Sequence, residues 1–95
     1  MMHEINERLK RYIHTVEKVF AEASLATENL TIKCYDVKAV YDEAKRYYED
    51  AKYFQEKKDY ITGLVAIAYS EGLLDALRLL GCVKFSWPTR EGNKK

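Results

Sequence analysis

Proline is almost missing from this chain of 95 residues: Pro88 is the only one, seven residues from the C-terminus. Nothing before it breaks a helix, so long helices are permitted. Glycine is scarce too, at four residues, which leaves little room for the turns of an all-β fold. No run of about eighteen apolar residues exists, so no membrane span is expected. The opening "MMHEINERLKRY" has no apolar stretch of signal-peptide length, and the expected setting is soluble and cytoplasmic. An excess of one charge is also missing. Sixteen Lys and Arg against fifteen Asp and Glu leave a net +1, so no whole-chain field draws in nucleic acid or anionic lipid. There is no glycine-rich phosphate loop, no zinc spacing and no nucleophile elbow. No cofactor, metal or catalytic residue is expected from motifs.

What is present is an apolar fraction of 47% beside 33% charged residues, the balance of one small globular domain. On a helical wheel Ile5, Leu9, Tyr12, Ile13, Val16, Val19, Phe20 and Ala23 share an arc of roughly 120°, predicting a first helix over about 3–26. The connection 27–33, "TENLTIK", favours caps and turns. Its Asn29-Leu30-Thr31 matches a glycosylation sequon of little weight without a secretory signal. Val37, Val40, Tyr41, Ala44, Tyr47, Tyr48, Ala51 and Phe54 share a second arc of roughly 140°, predicting a helix over about 33–57. "EKKDY" ends it on charge, and Asp59 is a good N-cap for a third helix over about 60–80. Gly81 suits the left-handed cap position, with Cys82 as the apolar residue beyond it. Val83, Phe85 and Trp87 alternate with Lys84 and Ser86, a short extended segment with one apolar side. The fold expected is all-α: an up-down-up three-helix bundle over 1–82 and a C-terminal extended tail over 83–95.

Helix three is apolar around most of its circumference, with Tyr60, Glu71, Asp75 and Arg78 within roughly 60°. Two neighbouring helices do not cover so much apolar surface. Either Val83–Trp87 folds back over it, and the chain can be a monomer, or a second subunit covers it. The candidate interface is Ile67 and Leu74 with Phe85 and Trp87 of the tail. The most direct occupant is a second copy in a homodimer; another protein partner is the alternative.

"YYEDAKYF", the turn ending in Asp59-Tyr60, and "AYSEGLLDALRLLG" resemble a family of small archaeal proteins, domain of unknown function 357. The matching positions are Tyr48, Asp50, Ala51, Phe54, Asp59, Tyr69, Gly72, Leu74, Asp75, Ala76 and Gly81. Gly63 stands where the family pattern has alanine, and Glu71 stands at a variable position, sometimes His. The resemblance implies a three-helix fold and an archaeal source, and brings no known activity. The charge-paired surface fits a thermophile. "AKYFQEKKDYITGLVAIAYSEGLL" is also similar to one tetratricopeptide hairpin, but no second copy follows. A likeness to the HEPN ribonucleases lacks their Arg-x4-His motif.

The polar cluster on helix three has two readings. Glu71 and Asp75 lie at i,i+4 and can split into acid and base, or bind a cation. Arg78, three after Asp75, neutralises one of them, and the plainer reading is the salt-bridged edge of a mostly buried helix. Tyr35 and Tyr53 lie beside Lys38, Lys45, Arg46 and Lys52, a pattern that can stack bases. Asp42, Glu49 and Asp50 interleave and cancel the field, so nucleic acid is the weaker alternative. His3 and His14 are read as surface residues. Cys34 and Cys82 lie 24 residues either side of a turn near residue 58, at equal height on a helical hairpin. They form either a disulfide or, the first expectation, two buried free thiols.

Overall fold

A computed structural model describes residues 2–26 and 30–88. The protein is all-α, as the periodicity predicts: α1 is Met2–Glu22, α2 is Cys34–Glu56 and α3 is Tyr60–Leu79. No strand occurs among the described residues. The polar residues 89–95 of the expected tail, and Asn29 of the sequon, lie outside the described residues. The chain divides into two compact units, Met1–Thr31 and Ile32–Lys95.

The first unit is a lone amphipathic helix. It ends at Glu22, four residues before the predicted end, although the Ala23 amide still donates to the Val19 carbonyl at 2.8 Å. The apolar arc continues to Ala23, but periodicity reports a face and not the point where the ladder stops.

The second unit is the α2–α3 hairpin. Its turn is a Schellman motif at the end of α2: the Lys58 amide donates to Gln55 and the Asp59 amide to Phe54. Lys58 takes the left-handed position, with φ 64°. Asp59 then caps α3, its carboxylate accepting from the Thr62 amide at 3.3 Å. A second Schellman motif ends α3, with the Gly81 amide on Arg78 and the Cys82 amide on Leu77. Gly81 has φ 78°, a conformation that L side chains resist.

The α2–α3 seam is built from small residues. Gly63, Ala66, Ser70 and Leu77 of α3 are buried, as is Ala44 of α2. Ser70 Oγ donates to the Ala44 carbonyl at 2.7 Å, a buried bond between helices. A Cβ added at Gly63 would meet the Ala51 carbonyl oxygen at 3.4 Å. Tyr47 packs edge-on against Tyr69, ring centroids 4.5 Å apart. Helix three therefore meets α2 along a ridge that is small at Gly63, Ala66 and Ser70 and large at Leu77, with Tyr69 at its edge.

Candidate functional site

Three features of the hairpin are candidates for function, and the first is Asp75. One turn of helix places the Arg78 guanidinium over its carboxylate, with Nε 3.0 Å and Nη2 2.8 Å from Oδ1. After the Gly81 cap reverses the chain, the Trp87 indole Nε1 donates to the same oxygen at 2.8 Å. The indole and the guanidinium together hold the Asp75 carboxyl below the usual carboxylate range, the indole bond being the larger cause. A carboxylate held ionised in this way is a poor proton acceptor at neutral pH. Phe85 packs edge-on to Trp87, centroids 4.8 Å apart.

The tail therefore folds back on α3, with Val83 and Phe85 half-buried between exposed Lys84 and Ser86. Trp87 closes one end of a groove between α2 and α3. There it lines a hollow of about 270 Å³ with Tyr41, Tyr48, Ile67, Glu71 and Leu74. A second hollow of about 300 Å³ shares Tyr48 and Ile67 and reaches Gln55 and Tyr60 at the turn end. Of the four residues predicted as one cluster, Glu71, Asp75 and Arg78 share the end of α3 beneath the tail. Tyr60 does not join them. It lies fifteen residues before Asp75, about 22 Å along the axis at 1.5 Å per residue. A wheel shows angle and hides height. The predicted interface residues Ile67 and Leu74 are half-buried on the groove flank.

The third feature is the outward side of α3. Ile61, Val65, Ala68, Gly72, Ala76 and Leu79 form a stripe within roughly 80° of arc, nearly opposite the ridge that meets α2. All six are exposed, with Val65 at 66% and Leu79 at 71%. Leu64 and Tyr69 flank the stripe and are exposed as well. The tail covers the groove flank and leaves this stripe bare, so the choice between fold-back and second subunit is not exclusive. By length and composition α3 would also pass as a membrane-crossing helix.

The tyrosines and basic residues of α2 are engaged with each other and with acids. Lys33 lies over Tyr35 and Lys57 over Tyr53, at 5.7 and 5.5 Å from the ring centroids. Arg46 lies over Tyr47 at 4.8 Å and Lys52 over Tyr48 at 5.0 Å. Lys38 pairs with Asp42 at 2.9 Å, Arg46 with Glu43, and Lys52 with Glu49 at 3.6 Å. The Glu43 bond and charge raise Arg46, and the Glu49 charge raises Lys52. Cys34 and Cys82 are free thiols, and Cys34 is exposed. The disulfide is not formed, and the expectation of two buried thiols fails at Cys34, which opens α2 on its solvent side. Among the described residues no group of three His, Cys, Asp or Glu side chains is placed to hold a metal.

The sequence reading did not single out Ser70 or the bond between Trp87 and Asp75. A serine between apolar neighbours on the contact ridge was the available signal for the first. No periodicity links a coil residue to a helix twelve positions earlier, so the second had none. A family model described as "Protein of unknown function (DUF357)" matches residues 11–83. The match takes in Asp75 and Arg78 and stops short of Phe85 and Trp87. No curated protein and no solved structure matches.

Proposed function

The chain belongs to the DUF357 family of proteins of unknown function, and on that premise we propose that it is a protein–protein interaction module working through the outward face of α3. The observation that carries this reading is the bare stripe Ile61–Val65–Ala68–Gly72–Ala76–Leu79. Solvent-exposed large apolar residues are ordinary when scattered. Here they are contiguous along one helix, and contiguous apolar patches mark interaction sites. No charged residue occurs between Tyr60 and Ser70, so the N-terminal half of the face has no charged group to desolvate.

Site-specific photo-cross-linking tests the reading. A cross-linker placed at Val65 captures a protein partner, capture survives high salt, and an Ile61→Glu change abolishes it. A cross-linker at Lys45 on α2 captures nothing comparable. Equal capture from both positions would overturn the assignment to α3. Capture of RNA that fades steeply with salt would replace it with nucleic-acid binding.

A further inference from the structure

We infer that the occupant of this face is a second copy of the chain, packed antiparallel across a two-fold axis beside Gly72. The inference rests on the interaction reading above and names its partner. Its ground is a symmetry within the stripe. Val65 lies seven residues before Gly72 and Leu79 seven after; Ala68 lies four before and Ala76 four after. In an isologous antiparallel pair of helices, residue i meets residue j wherever i + j is constant. With the axis at Gly72, Val65 of one copy meets Leu79 of the other, Ala68 meets Ala76, and Gly72 meets itself.

That register places small against small at the crossing and large against large on either side. Small residues let two helix backbones approach to the low end of the usual range, about 8 Å between axes. The large pairs then fill the space where the helices diverge. Among the described residues, a Cβ added at Gly72 meets no atom within 4 Å. Val65 and Leu79, the large residues on either side of the axis, are 66% and 71% exposed, so both members of the pair that would meet are open to a second copy.

Cysteine cross-linking and sedimentation test this on the full-length protein. In a Cys34→Ser, Cys82→Ser background, Gly72→Cys forms a disulfide dimer under mild oxidation, because facing Cα atoms at the crossing lie within about 7 Å. Leu64→Cys, off the stripe and eight residues from the axis, does not. The unmodified chain sediments as a dimer, and Gly72→Leu sediments as a monomer with unchanged helix content. A dimer that cross-links through Leu64→Cys and not through Gly72→Cys would overturn the axis. A monomer at every accessible concentration would overturn the second copy. In that event, capture of another protein through Val65 would leave the interaction reading standing. Equal destabilisation by Val65→Glu and by Val16→Glu on α1 would give the face to the chain's own first helix. Partition into phosphatidylcholine vesicles, lost in Val65→Glu, would give it to lipid.

Discussion

Asp75 accepts from an indole and a guanidinium on one oxygen, and pH is the direct probe of that arrangement. A carboxyl held below its ordinary value favours the folded state when ionised. Its contribution is present above the unfolded value of about 4 and is lost as pH falls through the lower folded value. Trp87 is the only tryptophan, so its emission reports the bond. We expect constant emission at neutral pH and a shift to longer wavelength as pH falls below the ordinary carboxylate range. Asp75→Asn should lower stability modestly, remove that transition and leave divalent-cation binding unchanged. Site-specific Mg²⁺ or Mn²⁺ binding lost in this variant would instead support the catalytic reading of Glu71 and Asp75. The i,i+3 and i,i+4 spacings made this trio legible in the sequence, and the tail's contribution was hidden because the Gly81 reversal carries it there. Ser70 makes a second residue-scale case. Replacing it by alanine removes a buried interhelical bond, while the Ala44 carbonyl keeps its place in the α2 ladder. We expect Ser70→Ala to lower unfolding free energy by about 1 kcal/mol in denaturant titration.

Among the helices, the ends marked by Asp59 and Gly81 were legible and the end of α1 was not. Asp59 and Gly81 are residue types with one good place at a helix end, and both occupy it. The turn between α2 and α3 has the same Schellman geometry as the end of α3, but Lys58 stands where Gly81 stands. Charge alone did not reveal that, because lysine is not a residue that signals positive φ. The comparison makes an element-scale prediction. Lys58→Gly should raise stability by roughly 0.5–1 kcal/mol, the left-handed strain removed less the extra freedom glycine brings to the unfolded chain. Gly81→Ala should lower it by about 1 kcal/mol. Thermal unfolding of the two variants checks both signs, and equal effects in the same direction would contradict the shared motif. Gly63 allows a further step. An alanine fits there at ordinary van der Waals distance from α2, so Gly63→Ala should stabilise α3 by roughly 0.5–1 kcal/mol through helix propensity. The end of α1 was misplaced because residues 23–26, "ASLA", carry neither glycine nor proline to mark it.

For the whole molecule, the composition made the all-α class legible, and the distribution of burial was not. Eight apolar residues on one arc of α2 looked like a deep core. In the structure the buried hydrophobics among the described residues are Ala44, Ala66 and Leu77, and no large side chain is fully buried. Helix three meets α2 mainly through Gly63, Ala66, Ser70 and Leu77 and leaves Ile61, Leu64, Val65 and Leu79 exposed, and a wheel that averages over the helix cannot foresee that division. A hairpin seam of alanine, glycine and serine with one buried leucine, Leu77, stabilises little by burial, since the hydrophobic contribution scales with apolar area removed from water. Below about 70–80 residues a single core rarely supplies more than about 3–5 kcal/mol. The α2–α3 unit has less core than that comparison assumes. If a second copy supplies the missing cover, stability is coupled to association, and mass action makes the melting temperature depend on concentration. Each tenfold increase in protein should then add up to about 1.4 kcal/mol to the apparent stability of the chain. We therefore expect the melting temperature to rise steadily over a hundredfold dilution series read from high dilution upward. Gly72→Leu should flatten that rise while leaving the helix signal before the transition unchanged. A melting temperature of the unmodified chain that stays constant across the series would separate stability from self-association, and would require the outward face of α3 to be stable when bare.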